Sequence, residues 1–405
     1  MQVFPAHAGM RNAPAQRQQS GAGSLNRVSG NDAAAQSGRA CRCDGGHQVD
    51  VSVVVPSYRR CEDLDRCLRA LARQRRRADE VIVVARADDI PTLRLLSGWL
   101  DRMALHGLRV ATVAVPGQVA ANNRGLDSAR GDILCLTDDD AAPRADWIER
   151  IVAHFRIDSG LAGVGGRDIV HDDDGGVIAG AERDVGLLRW YGRIVGNHHI
   201  GSGEPRTVDI LKGVNMAWRR SAVAGLRFDS RLRGAGAQVH NDLAFCLAAR
   251  RRGARLLYDP GLCVDHYPAL RADADQRASF NPESFYNASY NLHLALGDHL
   301  RGVRGALAQA YLLLAGSSNC PGALRALLLG FGPDGPARAW QKLRLGLRAG
   351  HAARTARMVR CGAHAFEDTE RAETDGHGAP NPLLLHHDAT QQPSQQVAEK
   401  EKLPW

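Results

Sequence analysis

The stretch Asp132-Ile133-Leu134-Cys135-Leu136-Thr137-Asp138-Asp139-Asp140 decides the predicted fold. Its apolar residues are typical of a buried β-strand, and three carboxylates follow where that strand reaches the surface. Carboxylates are costly there unless their charge is neutralised, and Mg²⁺ or Mn²⁺ is the simplest candidate because hard cations prefer oxygen ligands. We therefore predict a metal site. The alternative is an acidic turn solvated by water, which is how we interpret the acidic run at 172–174, since it lies between loop residues.

Strand and helix patterns alternate on both sides of this stretch. Further strands are predicted at Val51–Val55, Glu80–Val84 and Arg109–Val115, and apolar spacing of three and four residues predicts a helix around Leu64–Leu71. This alternation predicts an α/β fold with a Rossmann-type, mostly parallel sheet flanked by helices. Ligands bind at the carboxyl ends of strands in such sheets, so the first and fourth strand ends should meet in one cleft.

The downstream part of the domain continues the pattern less regularly. A strand within Val208–Trp218 is expected to turn at Lys212-Gly213, and a strand at Leu256–Tyr258 is expected to end at Asp259-Pro260. The other elements predicted here are a helix at Asn123–Ala129, a helix at Pro143–Phe155, a strand at Gly163–Val170 and a helix at His240–Arg252.

The composition is that of a globular protein. Hydrophobic residues make up 44% of the 405 residues and charged residues 24%, which excludes collagen, a coiled coil and wholesale disorder. The nine cysteines include no pair with the two-residue gap of a zinc or redox motif, so we interpret them as reduced thiols of a cytosolic protein.

Charge is concentrated near the C-terminus. Residues 301–363 contain ten Lys and Arg against one Asp, whereas residues 364–405 contain three basic and eight acidic residues. The basic stretch lacks the aromatic interleaving of single-strand binders, so we predict no nucleic-acid partner. An anionic membrane surface is one partner that fits, and a soluble basic helical subdomain is the equally weighted alternative.

The uncharged segment Gly305–Leu324 has the length of a membrane span, but polar residues confine its apolar core to Ala306–Ala315. We expect a buried or interfacial helix. The predicted organisation is a disordered tail at 1–48, a catalytic α/β domain at 49–300, a basic helical extension at 301–363 and a disordered acidic tail at 364–405.

Four blocks, in this order and spacing, resemble family 2 glycosyltransferases. They are Val53-Val54-Val55-Pro56-Ser57-Tyr58-Arg59-Arg60, then Glu80–Val84, then Ala121–Leu126, then Asp132–Asp140 followed by Pro143 and Trp147. The resemblance covers residues 49–269. It implies a GT-A fold, a nucleotide-diphosphate sugar donor, a divalent metal that bridges the diphosphate, and inversion at the anomeric carbon.

The resemblance also implies roles for individual residues. Asp242 matches the family's general base, although Asn241 replaces the Glu before it, and a capping role is the alternative for Asp242. Asp140 and His266 match metal ligands. The residues implied to bind the nucleotide-sugar are Pro56, Ser57, Tyr58, Arg59, Asp88, Asn123, Asp138, Asp139, Lys212, Gly213 and Asn215.

The predicted reaction is a single displacement, in which Asp242 removes the proton of an acceptor hydroxyl as it attacks the donor sugar. The acceptor would be a saccharide or a lipid-linked molecule in polysaccharide or glycolipid synthesis. We predict a cytoplasmic protein, with the inner face of the plasma membrane as a further location. Two alternatives stay open, a non-catalytic nucleotide-sugar-binding relative and a nucleotidyltransferase on a similar fold.

Overall fold

The computed structural model describes residues 49–172, 174–269, 280–317, 320–332 and 335–375, with side chains up to residue 358. The predicted tail at 1–48 lies outside the described residues, as do residues 376–405 of the predicted acidic tail.

The first half of the described chain alternates strands and helices, as predicted. Its elements are β1 (Val51–Ser57), α1 (Cys61–Ala72), β2 (Glu80–Arg86), α2 (Ile90–Asp101), β3 (Leu108–Val113), α3 (Gln118–Ser128) and β4 (Ile133–Leu136). The sequence did not predict α2, whose apolar residues lie on more than one face. Leu96 and Trp99 are buried while Ile90 and Leu100 are exposed, so no single apolar stripe marks this helix.

The second half of the domain contains shorter strands and longer connections. Its elements are β5 (Ala141–Pro143), α4 (Trp147–Ile157), β6 (Leu161–Val170), β7 (Leu187–Leu188), β8 (Ile194–Val195), β9 (Arg206–Val208), β10 (Met216–Arg219), α5 (Asn241–Arg251) and β11 (Arg255–His266). The predicted turn at Lys212-Gly213 is present as a short 3₁₀ helix over Gly213–Asn215, directly before β10.

The central sheet is largely parallel and is covered on both faces, which confirms the predicted α/β fold. Its strand order is β3-β2-β1-β4-β10-β6-β11-β5, with β9 also paired to β11. The neighbours of β1 are parallel, whereas β10 is antiparallel to both β4 and β6. In β1, Val54 packs into one hydrophobic cluster while Val51, Val53 and Val55 pack into the other, because alternate side chains point to opposite faces.

The predicted end of a strand at Asp259-Pro260 is wrong, because β11 continues to His266. Its pairing with β6 is interrupted between Asp259 and Cys263 and then resumes. Gly166 of β6 makes this irregularity possible: a Cβ atom at that position would lie 1.8 Å from the backbone oxygen of Leu262. The continuation places His266 opposite Ala141 of β5.

The C-terminal part of the described chain is mainly helical. Its elements are α6 (Pro282–His299), α7 (Gly302–Leu314), β12 (Gly316–Ser317), β13 (Cys320–Pro321), α8 (Ala323–Gly330) and α9 (Gly335–Asp375). Ala308 and Leu312 of α7 belong to the same hydrophobic cluster as sheet residues, so helices after residue 300 share the core of the domain. The last turns of α9 include residues 364–375, which the sequence had assigned to a disordered tail.

The helices of the described chain are too short or too polar to span a bilayer. Among the described residues, no helix combines the length and the apolar character that crossing a bilayer requires. The predicted helix at Ala306–Ala315 is largely contained in α7, with only part of its surface buried.

We predict that Gly166→Ala destabilises the protein, because the added methyl group must push β11 away from β6. The free energy of unfolding should fall by about 1–3 kcal/mol, the usual cost of overpacking a core. The matched control is Gly196→Ala, since a Cβ atom there meets nothing within 4 Å. Urea unfolding of both variants measures the difference, and equal midpoints would contradict the close approach at Gly166.

Candidate active site

An open cleft of about 830 Å³, counting the solvent at its mouth, lies at the carboxyl ends of β1 and β4. It is where the sequence predicted that these two strand ends meet. The residues that line it are Pro56, Ser57, Tyr58, Arg60, Val84, Arg86, Val113, Gly117, Gln118, Ala121, Asp138, Asp139, Asp140, Ala235, Gly236, Ala237 and His266.

The three carboxylates that follow β4 share this cleft with Arg60, the residue that precedes α1. A guanidinium nitrogen of Arg60 lies 2.9 Å from Asp139 Oδ1 and 3.5 Å from Asp140 Oδ2. Burial, opposed by Arg60 and reinforced by Asp140, raises the pKa of Asp139 to about 7. Burial and the neighbouring Asp140 raise the pKa of Asp138 to about 6. The charge of the triplet is therefore only partly neutralised by Arg60.

His266 lies on the other side of Asp140. Its Nε2 atom is 3.4 Å from Asp140 Oδ1, and its Nδ1 atom is 3.5 Å from an oxygen of Asp168, which also pairs with Lys212. Burial lowers the pKa of His266, but the two carboxylates outweigh burial and raise it to about 9. The pKa of Asp140 falls to about 2, because His266 and Arg60 outweigh its burial. Alternating cations and anions thus run from Arg60 to Lys212.

Asp140 and His266 fit a divalent cation. Asp140 Oδ1 is buried and makes no hydrogen bond to any described residue, which leaves it available to a cation. Two ligands of a six-coordinate Mg²⁺ lie about 3 Å apart when both bonds are about 2.1 Å long, close to the 3.4 Å observed. In the described part of the chain, no group of three or more His, Cys, Asp and Glu side chains is placed to hold a metal.

Pro56, Ser57 and Tyr58 line the cleft, whereas Arg59 and Asp88, predicted beside them, are placed differently. The backbone N–H of Arg59 donates to Asp89 Oδ2 at 2.6 Å, and Asp89 in turn caps α2. Asp88 is exposed and paired at 2.8 Å with Arg86, which does line the cleft. Arg86 also lies over the Tyr58 ring, 4.2 Å from its centroid. The cleft therefore presents Arg86 where the sequence analysis had placed Asp88.

Asn123 and Asn215, both predicted to bind the nucleotide-sugar, are held by the protein itself. Asn123 exchanges two hydrogen bonds with the backbone of Phe228, at 2.9 and 2.8 Å. Asn215 is buried, accepts from Trp147 Nε1 at 2.8 Å and donates to the Leu262 carbonyl at 2.9 Å. Neither residue lines the cleft. Their polar side chains join segments that are distant in sequence.

Asp242 lies in the first turn of α5 and does not line the cleft. Its Oδ2 atom accepts from the backbone N–H of Gly213 at 3.2 Å, and its Oδ1 atom accepts from that of Leu243 at 2.8 Å. Lys212, adjacent to Gly213, pairs with Asp168. The Lys212-Gly213 segment thus connects Asp242 to the charged residues around His266.

A family model described as Glycosyltransferase like family 2 matches residues 47–281, which is more than half of the 405-residue chain. The chain belongs to this family. The resemblance that the four sequence blocks carry is confirmed.

Individual relatives are more distant. Glycosyltransferase AglE of Haloferax volcanii is 30% identical over 134 residues, which cover 32% of this chain and 42% of AglE. The mannosyltransferase PcManGT from Pyrobaculum calidifontis, solved with GDP-Man and Mn²⁺, is 19% identical with a TM-score of 0.48, over 76% of this chain and 87% of PcManGT. S. aureus TarS 1–349, solved with UDP-GlcNAc, is 17% identical with a TM-score of 0.47, over 65% and 72%.

Several cleft residues of this glycosyltransferase were not predicted. Gln118 donates to Asp138 Oδ1 at 2.8 Å, and Gly117 before it adopts a φ of 107° that favours glycine. Ala235 and Gly236, in the glycine-rich segment before α5, also line the cleft. The sequence did contain one signal for this wall of the cleft. Gly117 lies between strand β3 and helix α3, and a glycine in that position is typical of a ligand-binding turn.

We predict that Asn215→Ala acts on stability, because it leaves the Trp147 indole N–H and the Leu262 carbonyl without partners in the core. The free energy of unfolding should fall by about 3 kcal/mol, since each unsatisfied buried group costs about 1–3 kcal/mol. Ser202→Ala is the control, because Ser202 makes one exposed bond of 3.4 Å. Urea unfolding distinguishes them, and an unchanged midpoint for Asn215→Ala would contradict the structural role.

Proposed function

We propose that this family 2 glycosyltransferase is an inverting enzyme that transfers a sugar from a nucleotide-diphosphate donor to a hydroxyl acceptor. The observation that carries the proposal is the carboxylate triplet Asp138–Asp140 inside the cleft, with a buried Asp140 oxygen left without a hydrogen bond among the described residues. Such an oxygen, beside His266, is suited to a cation that binds diphosphate.

Asp140 and His266 are the residues that would hold Mg²⁺ or Mn²⁺. The cation, when bound, stabilises the charge that develops on the leaving diphosphate. His266 must give up its proton to act as a ligand. An oxygen of Asp168 lies on the opposite side of the imidazole, 3.5 Å from Nδ1, and this charged neighbour favours the ring orientation that faces Asp140.

The donor's nucleotide and diphosphate are assigned to the wall formed by Ser57, Tyr58, Arg60 and Arg86. Two guanidinium groups here offer several N–H donors to phosphate oxygens. Arg60 already contacts Asp139, so it also keeps the carboxylate triplet compact while a donor binds. Asp138 is oriented by Gln118 toward the same space.

Asp242 is the residue that we propose accepts the proton of the acceptor hydroxyl. The backbone N–H groups of Gly213 and Leu243 hold both of its oxygens, which fixes the direction of the carboxylate. Asp242 lies in the first turn of α5. As the acceptor oxygen attacks the anomeric carbon, its proton moves to Asp242 and the bond to the diphosphate breaks, with no covalent enzyme intermediate.

One observation favours the non-catalytic alternative. Asn241, which replaces a family Glu, donates to the backbone oxygen of Ala237 at 2.9 Å and is buried, so it serves the structure of the α5 start. A relative that binds nucleotide-sugar without transferring it is therefore the rival outcome of the experiments below. No observation favours a nucleotidyltransferase.

The acceptor is proposed to be a saccharide or a lipid-linked molecule, in polysaccharide or glycolipid synthesis. AglE is related only over 42% of its own length, so its acceptor is not carried over. Attachment to an anionic membrane is a separate property, because none of the described residues between 301 and 358 lines the cleft.

We predict that Asp140→Asn abolishes metal-dependent nucleotide binding. A thermal-shift screen of UDP, GDP, dTDP and CDP and their common sugars, with and without Mn²⁺, should show one nucleotide that stabilises the wild type. At a hundredfold excess over Kd this stabilisation is about 2.7 kcal/mol, and Asp140→Asn should lose it. Asp174→Asn, in the acidic run at 172–174, is the control that should keep it. A metal-dependent shift of the same size in Asp140→Asn would refute the assigned site.

We predict that Asp242→Asn separates binding from transfer. The substitution keeps an oxygen that can accept from Gly213 but removes the base, so turnover should fall by about 10²–10⁴-fold. The thermal shift with the donor nucleotide and Mn²⁺ should be unchanged. Transfer is measured as release of the nucleoside diphosphate in the presence of an acceptor. Full turnover by Asp242→Asn would exclude Asp242 as the base, whereas binding without turnover in the wild type would favour the non-catalytic relative.

A further inference from the structure

The short helix α8 exposes a continuous apolar stripe. Its side chains at Leu324, Leu327, Leu328 and the following Phe331 are between 60% and 86% exposed. These positions are spaced by three and four residues, so they lie on one face of the helix. The opposite face of α8 buries little apolar surface, since Ala326 is the only buried side chain of this helix among those described. We call these four residues the α8 apolar face.

The neighbouring helix α9 adds an aromatic residue and positive charge. Trp340 is 60% exposed, and Arg344 and Leu347 follow it on the same face at spacings of four and three residues. Arg348 is exposed beside them. Helices α8 and α9 pack against each other, so both faces belong to one part of the molecule.

The positive charge of this region indicates which kind of partner can bind the exposed surface of α8 and α9. Residues 301–363 contain ten Lys and Arg and a single Asp. A second copy of the same surface would bring two strongly positive regions together, which is unfavourable. An anionic surface is complementary to it. Exposed Leu, Phe and Trp beside basic side chains are the composition of helices that lie in the headgroup region of a bilayer.

We infer that the α8 apolar face, together with the exposed α9 residues Trp340, Arg344, Leu347 and Arg348, docks the protein onto an anionic lipid bilayer. The α8 apolar face enters the boundary between headgroups and acyl chains, and Arg344 and Arg348 contact lipid phosphates. With eight residues, α8 is about 12 Å long, so it lies on the bilayer and does not cross it. This inference does not depend on the proposed transfer reaction.

The experiment is flotation of the full chain with vesicles of phosphatidylcholine alone and of equal parts phosphatidylcholine and phosphatidylglycerol. The wild type should float with the anionic vesicles at low salt and stay at the bottom with the neutral ones. The triple variant Leu327→Ser/Leu328→Ser/Phe331→Ser should bind at least tenfold more weakly, because each large apolar side chain withdrawn from water contributes more than a tenfold change.

The matched control is Met103→Ser/Ile157→Ser, which removes two side chains that are 87% and 84% exposed elsewhere on the surface. It should bind vesicles as the wild type does. A second variant, Arg344→Gln/Arg348→Gln, tests the charge and should lose roughly fivefold in binding for each residue changed. Arg73→Gln/Arg156→Gln, at exposed positions of the sheet domain, is its control.

Four outcomes would overturn the inference. The first is equal recovery from both vesicle types at low salt, and the second is equal flotation of the wild type and the triple variant. Light scattering is run on the same samples. A dimer that the triple variant dissociates, without flotation of the wild type, would assign the α8 apolar face to a second copy of the chain. Flotation that appears only after residues 364–405, which hold all eight acidic residues of the tail, are removed would show that the acidic tail covers the basic surface in the full chain.

Discussion

Three carboxylates at the end of a buried strand are the constraint on which the rest of this domain depends. Two of them, Asp139 and Asp140, are buried, and uncompensated buried charges cost several kcal/mol each. Arg60 and His266 supply the compensation, and they come from opposite ends of the domain sequence. The fold must therefore bring the start of α1 and the end of β11 to the same edge of the sheet.

Backbone geometry accomplishes this. The chain turns directly from Asp140 into the short strand β5, which pairs antiparallel with the end of β11. The backbone N–H of Tyr267 donates to the carbonyl of Asp140 at 2.9 Å, and this bond fixes the neighbouring His266 beside the carboxylates. Pairing of β11 with β6 resumes after the interruption at Asp259–Cys263, and it is this last part of β11 that pairs with β5.

The C-terminal helices place some apolar side chains in the core and leave others exposed to water. Helices α6, α7 and α9 contribute Leu296, Leu312 and Ala353 to the core, where apolar contact with the sheet domain stabilises the fold. The exposed leucines of α8 make no such core contacts, so they do not contribute to the stability of the fold in this way. A contiguous exposed apolar stripe is unusual for a surface that stays in water, and beside so many basic residues it suits a surface that meets lipid.

The sequence by itself determined the sheet, its largely parallel order and the position of the carboxylate triplet. Runs of β-branched residues and apolar helical spacing are local signals, so β1, β2 and β4 and helix α5 were predictable. The family resemblance was readable from four blocks for the same reason. Helix α2 and strand β5 were not, because α2 lacks a single apolar stripe and β5 has only three residues.

Only the tertiary structure decided which polar residues face the cleft. Asn123, Asn215 and Asp88 have the residue types that bind ligands, yet their partners are distant backbone groups or a neighbouring arginine. Conversely, Arg86 and Gln118 reach the cleft because β2 and α3 lie beside β1. Hydrogen bonds between residues far apart in sequence leave no periodic pattern, so side-chain direction is fixed by packing and not by local sequence.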